Sequence, residues 1–185
     1  MKKKAGKGIS QLKNLSDYVA LAVVDADKYQ QTNIKIIAEL TKQNIPGVYV
    51  TLNRPYENVK DILKKQKIDL DKIIFIDGVT KTAGGEITKK ADCLFIGGPK
   101  SLSDISIAMD QAIMGIPKKD KFLFFDSLST LLIYNDTSIV LKFIHFLAGK
   151  MRIWKVRGII ISLRRTTDKD LIELLKENCD VIIDL

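Results

Sequence analysis

The segment from Asp25 to Thr32 stands where a phosphate-binding loop would stand, between an apolar run and a helical pattern. Such a loop reads G-x-x-x-x-G-K-[ST], because its glycines turn backbone N–H groups toward phosphates, its lysine neutralises them and its hydroxyl holds Mg²⁺. Here only the hydroxyl of Thr32 matches, and Gln31 occupies the lysine position. Asp25 and Asp27 would repel a polyphosphate, although Lys28 could bend toward one. The segment predicts an ordinary strand-to-helix turn with a Thr or Asn N-cap, and a modified nucleotide site is the alternative.

A second segment, Gly97 to Ser101, ends in Lys-Ser and also precedes a helical pattern. Pro99 inside it has no N–H to offer a phosphate. The glycines therefore predict a turn, and Ser101 predicts the N-cap of the next helix. Asp104 follows three residues later, at a spacing that resembles a capping box.

Other reactive side chains have simpler explanations than chemistry. Three carboxylates at strand ends, those of Asp25, Asp27 and Asp126, could bind Mg²⁺ or Ca²⁺ if they met, but acidic strand ends are common without a metal, so we predict no metal site. Two cysteines and one histidine are too few for a metal cage. We expect buried, inert thiols at Cys93 and Cys179 and a structural or surface role for His145.

The pair Arg164-Arg165 follows a strand at the edge of the predicted site. Such a pair could act as an arginine finger or bind an acidic partner. More often, it forms part of a solvated loop.

Composition predicts one globular domain with a basic arm. The chain has 185 residues, of which 46% are hydrophobic and 28% charged, and this composition excludes a disordered chain. The net charge is +8, and lysines are concentrated near the start. We predict a basic N-terminal arm over residues 1–17 and a single α/β domain over residues 18–185. The absence of an export signal and of long apolar stretches predicts a cytoplasmic protein without a membrane partner.

Seven apolar runs alternate with helical patterns along the chain. The predicted strands are Tyr18–Val24, Val48–Leu52, Lys72–Asp77, Cys93–Ile96, Phe122–Asp126, Val156–Ser162 and Val181–Asp184. The predicted helices cover Ile34–Leu40, a segment from Pro55, a segment from Ser101, one long segment through Ile139 to Met151, and Asp168–Glu177. This alternation predicts a three-layer, doubly wound, mostly parallel sheet with helices on both faces. Ligands of such sheets bind outside the carboxyl ends of the strands.

The pattern resembles the RecA/KaiC-like ATPase superfamily, especially small RecA-like proteins of archaeal type, over roughly residues 18–185. The segments that carry the resemblance are Val48–Pro55, Ser101–Ala108, Phe124–Leu131 and Thr167–Asp180. The resemblance implies the RecA-like P-loop NTPase fold. It also places the Walker B aspartate, which helps hold Mg²⁺, on Asp126. Where the family carries catalytic glutamates, this chain has Asn53 and Arg54, a very weak base and a group that cannot accept a proton.

These departures imply the fold of an ATPase without its activity. We predict a catalytically degenerate domain, a pseudo-ATPase with no catalytic residue, that acts as a protein-interaction or regulatory module through a protein partner or self-association. A residual nucleotide site formed by Lys28, Gln31, Thr32 and Asp126 would bind ATP and Mg²⁺ weakly, if at all, so no cofactor is expected. The alternatives are a divergent nucleotide-binding protein or ATPase and, because of the net charge and the lysine arm, a nucleic-acid-binding protein.

Overall fold

A computed structural model describes residues 8–12, 15–164 and 169–185 of the chain. Its seven strands are β1 (Tyr18–Val24), β2 (Gly47–Thr51), β3 (Ile73–Asp77), β4 (Cys93–Phe95), β5 (Phe122–Asp126), β6 (Arg157–Leu163) and β7 (Val181–Asp184). They form one sheet in the order β4-β3-β2-β5-β6-β1-β7. Every pairing between these strands is parallel. The predicted mostly parallel, doubly wound sheet is confirmed.

Helices cover both faces of the sheet and complete three layers. One face packs against α1 (Tyr29–Lys42) and α2 (Tyr56–Lys65). The opposite face packs against α3 (Leu102–Met114), α4 (Leu128–Tyr134), α5 (Thr137–Trp154) and α6 (Lys169–Lys176). Within the described residues, no helix is long and apolar enough to span a bilayer.

Strand β5 shows why the apolar runs are continuous rather than alternating. Phe122 and Phe124 pack in the core beneath α1 and α2, whereas Leu123 and Phe125 pack in the core on the opposite face. All four side chains are fully buried. Because successive side chains of a strand point to opposite faces, a central strand with helices on both sides must be apolar at every position.

The structure corrects two local predictions about helices. After β5 the chain forms the short helix α4 as well as the long helix α5, and Asn135 between them has an extended backbone. Ser127 begins α4 as its N-cap and accepts a hydrogen bond from the N–H of Thr130. Ser101 occupies the N-cap position of α3, as predicted, but its side chain does not make the expected capping hydrogen bond.

Part of the predicted arm packs on the domain. Ile9–Leu12 form a short 3₁₀ helix, and Leu12 is buried in the core beneath α1. The boundary between the arm (1–17) and the domain (18–185) stays a prediction.

Gly47 begins β2 at a point where no side chain fits. It pairs in register with Phe122, and a Cβ added at Gly47 would lie 2.3 Å from the Phe122 ring. We expect Gly47→Ala to lower the free energy of unfolding by about 2 kcal/mol, because overpacking a core costs about that much. The measurement is urea unfolding followed by circular dichroism.

Gly149, in the interior of α5, provides the matched control. A Cβ added there meets no atom within 4 Å. We therefore expect Gly149→Ala to raise the stability by up to about 1 kcal/mol, since alanine is the better helix former. If Gly47→Ala were as stable as Gly149→Ala, the described packing of Gly47 against Phe122 would be incorrect.

Candidate functional site

The candidate site is centred on Asp126, the last residue of β5. Its carboxylate is buried and accepts hydrogen bonds from the hydroxyl of Tyr29, from Asn33 Nδ2 at 3.0 Å and from the hydroxyl of Tyr49 at 2.7 Å. Asn53, after β2, donates in turn to the Tyr29 hydroxyl. Asp126 is therefore the common acceptor of a buried polar network.

Two elements bring these donors to Asp126. Tyr29 and Asn33 stand four residues apart at the start of α1, so their side chains lie on the same face of the helix. Tyr49 comes from the middle of β2, which pairs directly with β5. Asp126 follows Phe124 by two residues and therefore points to the same face of the sheet, the face that α1 covers.

Burial controls the charge of this network. It raises the pKa of Asp126 to about 6, although the hydrogen bonds from Tyr29, Tyr49 and Asn33 and the nearby Arg54 guanidinium work in the opposite direction. Burial, and then the charge of Asp126, also raise the pKa values of Tyr29 and Tyr49. Both phenols therefore remain protonated and serve as donors at neutral pH.

The space beside Asp126 is small. Tyr29, Asn33, Tyr49, Arg54 and Asp126 line a cavity of about 20 Å³ together with apolar side chains of α1 and α2. This volume holds about one water molecule. The side-chain oxygen of Asn33 is buried beside it and finds no hydrogen-bond partner among the residues that the structure describes. Because small-molecule pockets measure roughly 300 Å³ or more, this cavity does not accommodate a nucleotide.

Only one of the four predicted site residues belongs to the network. Within the described part of the chain, Asp126 accepts hydrogen bonds from Tyr29, Asn33 and Tyr49 and from none of the other three. The Lys28 side chain is exposed, and its Nζ lies 3.5 Å from Asp25 Oδ2. Gln31 is exposed as well, whereas Thr32 is buried on α1.

The turn between β1 and α1 is short and internally bonded. Helix α1 begins at Tyr29, so only four residues separate it from β1. The N–H of Asp25 donates to the Leu185 carbonyl oxygen at 3.2 Å, and the N–H of Lys28 donates to the Asp25 carbonyl oxygen at 3.0 Å. Lys28, rather than a Thr or Asn, occupies the N-cap position and makes no side-chain cap, so that prediction is wrong.

The side chain of Asp25, in this turn, forms an ion pair with Arg164, which follows β6. Arg164 Nε donates to Asp25 Oδ1 at 2.7 Å, and its Nη2 donates to Asp184. The hydrogen bond from Arg164 lowers the pKa of Asp25. Arg164 therefore binds acidic groups of its own chain, and Arg165, the second residue of the predicted pair, lies outside the described residues. Arg54 similarly donates to Gln30 Oε1 at 2.9 Å.

The remaining candidates are structural. Both cysteines are buried, and burial raises the pKa of Cys93, as expected for an inert thiol. His145 Nδ1 lies 2.6 Å from Asn178 Oδ1. Across residues 8–12, 15–164 and 169–185, no group of three or more His, Cys, Asp or Glu side chains is arranged to hold a metal ion.

Sequence reasoning missed the three donors of the network. Tyr29 belongs to the segment Asp25–Thr32, whereas Asn33 lies inside a helix and Tyr49 inside a strand. A usable signal was the spacing of Tyr29 and Asn33, which places an amide on the apolar face of α1 with Ile36, Ile37 and Leu40. A polar group on a buried face needs a partner, and a carboxylate at a neighbouring strand end is the natural one.

Comparisons with known proteins agree with the fold. Residues 37–185 match a model described as a family of unknown function (DUF7504). The whole chain superposes on 82% of the crystal structure of a KaiC-like protein from the hyperthermophilic archaeon Pyrococcus horikoshii OT3, with a TM-score of 0.68 and 14% sequence identity. At that identity the likeness shows the fold, and it confirms the predicted RecA/KaiC-like architecture. No curated protein matches the sequence.

Proposed function

We propose that this chain, which belongs to the DUF7504 family of unknown function, is a RecA/KaiC-like domain that does not hydrolyse ATP and acts through contacts with other proteins. The observation that carries the proposal is that the carboxylate of Asp126 is already hydrogen-bonded within the chain. Both of its carboxylate oxygens accept hydrogen bonds from side chains of the same chain, inside a cavity of about 20 Å³. A carboxylate so engaged is not presented to a nucleotide-bound metal ion.

The turn before α1 supports the same proposal. A phosphate cradle needs several free backbone N–H groups and a cation. Here the N–H groups of Asp25 and Lys28 are bonded to carbonyl oxygens, and Lys28 Nζ lies against Asp25. Asn53 donates to Tyr29 instead of facing a water held for attack. We therefore infer that Lys28, Gln31, Thr32 and Asp126 form no working nucleotide site and that the protein is a pseudo-ATPase without a cofactor. The cytoplasmic location stays a prediction from the sequence.

The face formed by α3 and α5 supports a role in protein contacts. Ile107 on α3 and Phe146 on α5 are about half exposed, and Met114 and Ile153 are about three-quarters exposed. Between the two helices runs an open groove lined by Leu102, Ser103, Ser106, Ile107, Phe143 and Phe146. Apolar side chains exposed together in this way mark sites of protein interaction.

Nucleotide chemistry is tested by titrating the pure protein with Mg-ATP in a calorimeter and by following phosphate release. We expect no heat at millimolar nucleotide and no release above the rate of buffer alone, for wild type and for Asp126→Ala alike. Hydrolysis by the wild type that Asp126→Ala abolishes would overturn the proposal, and so would saturable binding of Mg-ATP.

Protein contacts are tested by affinity capture with wild type and Phe146→Glu, followed by binding assays between the purified chain and each captured protein. Ile87→Glu is the matched control, because Ile87 is as exposed as Phe146 and is not among the residues lining the groove. We expect a pairwise complex that Phe146→Glu weakens at least tenfold and Ile87→Glu leaves intact. Equal binding by both variants would contradict the assignment of this face.

A further inference from the structure

A row of lysines lies at the end of the sheet where the strands begin, opposite to the end that carries Asp126. The strands β3, β2, β5 and β6 are consecutive neighbours, and lysines precede each of them. These are Lys72 before β3, Lys42 before β2, Lys118 and Lys119 before β5, and Lys155 before β6. Because the strands are parallel and about 4.8 Å apart, the row extends over roughly 14 Å.

Two of these lysines meet at one residue without an acid between them. Lys118 Nζ donates to the backbone carbonyl oxygen of Asn44 at 3.4 Å, and Lys72 Nζ donates to the side-chain oxygen of the same residue. Asn44 has a φ of 60°, a left-handed conformation that asparagine tolerates. Two ammonium groups held on one neutral residue repel each other, and an external anion would relieve that repulsion.

The acidic neighbours do not neutralise the row. Asp120 pairs with Arg157 at 3.0 Å, and Asp69 and Asp71 precede β3 at one end of the row. Among the described residues, Lys42, Lys119 and Lys155 form no ion pair. Lys121 is excluded from the row because it donates to the carbonyl oxygens of Ile113 and Ile116 at the end of α3. The excess positive charge is therefore concentrated before β2, β5 and β6.

We propose that this lysine row, at the end of the sheet where the strands begin, binds the phosphate backbone of a nucleic acid. Duplex DNA carries one negative charge per about 1.7 Å of its axis, so a row of roughly 14 Å faces several phosphates. The loops before β3 and β5 expose lysine and aspartate, and Met114 and Ile153, the exposed apolar side chains nearest in sequence to the loops before β5 and β6, lie on α3 and α5. Since ammonium groups contact phosphates as point charges, we expect the row to bind independently of sequence. This inference does not depend on the proposed function.

The test is fluorescence anisotropy with a labelled 20-base-pair duplex at increasing salt. We expect the logarithm of the affinity to fall linearly with the logarithm of the salt concentration, as phosphate contacts require. The variant Lys42→Gln/Lys118→Gln/Lys119→Gln is expected to bind at least about tenfold more weakly and to show a salt slope that is shallower by up to about 2.7, or about 0.9 per lost contact.

The matched control, Lys81→Gln/Lys89→Gln/Lys100→Gln, removes the same charge from exposed lysines in loops that follow β3 and precede α3. It should bind nearly as tightly as wild type, and thermal melts establish that both variants fold. Absence of binding even at about 20 mM salt would overturn the proposal, as would equal weakening by the two variants, since each contradicts a localised phosphate site. Binding to anionic vesicles but not to the duplex would overturn it in favour of a membrane surface.

Discussion

Wild-type protein should gain about 2 kcal/mol of stability relative to Asp126→Asn as the pH falls from about 7 to about 4, because each unit of pKa difference between the folded and unfolded states is worth up to about 1.4 kcal/mol. Burial raises the pKa of Asp126 to about 6 in the folded protein, from its ordinary value of 3.8. A carboxyl whose pKa is raised by folding stabilises the protein fully below its unfolded pKa. That contribution is lost as the pH rises through the folded pKa of about 6.

The measurement is urea unfolding of both proteins at several values between pH 4 and pH 7.5. The difference between them is the informative quantity, because other carboxyl groups titrate in the same range. Asp25 and Asp92 have lowered pKa values in the folded protein and make both proteins less stable in acid. Asparagine has no charge to lose and keeps a side-chain oxygen for the donors around position 126. A difference that stays constant with pH would show that Asp126 is not a buried ionisable group.

Asp77→Ala is expected to lower the free energy of unfolding by about 3 to 4 kcal/mol, because it removes a charged acceptor from several buried or half-buried donors at once. Asp77 ends β3 and is fully buried. Its carboxylate accepts hydrogen bonds from the N–H of Tyr56 at 2.7 Å, of Val79 at 2.6 Å and of Thr80 at 2.9 Å, and from the hydroxyl of Thr80 at 2.5 Å. It therefore binds the first residue of α2 and the loop after β3 to the sheet.

Two variants make this prediction specific. Asp77→Asn keeps one acceptor oxygen and should lose about half as much stability as the alanine variant. Asp69→Ala removes an exposed carboxylate that accepts one local bond, from the N–H of Asp71, and should change the stability by less than about 1 kcal/mol. Urea unfolding by circular dichroism measures all three. A loss at Asp77→Ala no larger than that at Asp69→Ala would contradict the described network.

The carboxylates of Asp77 and Asp126 occupy similar positions at strand ends but accept hydrogen bonds from different kinds of donor. Both residues end buried strands of the sheet, and both pair in register with Thr51 of β2. Asp77 is satisfied mainly by backbone N–H groups close in sequence. Asp126 is satisfied by side chains that lie 77 to 97 residues away. Asp77 is therefore a local structural acceptor, and Asp126 holds distant elements together.

Much of the architecture follows from the sequence alone. Each of the seven predicted strands lies within one residue of the observed strand at both ends, because a run such as Phe122–Asp126 can hide its side chains only between two layers. Helix α4 escaped prediction because it is short and its pattern continues into that of α5. The loss of phosphate-binding residues between β1 and α1 is likewise visible in the sequence, since it depends on residue types at fixed spacing.

The hydrogen bonding of Asp126, in contrast, was decided only by the tertiary structure. Its place at the end of an apolar run marks it as a strand-end carboxylate. Its engagement depends on β2 lying directly beside β5 and on the first turn of α1 lying over the end of β5. No local pattern encodes a hydrogen bond between residues so far apart in sequence. The strand order and the position of α1 produce these hydrogen bonds, because they bring Tyr29 and Asn33 of α1 and Tyr49 of β2 together around one buried carboxylate.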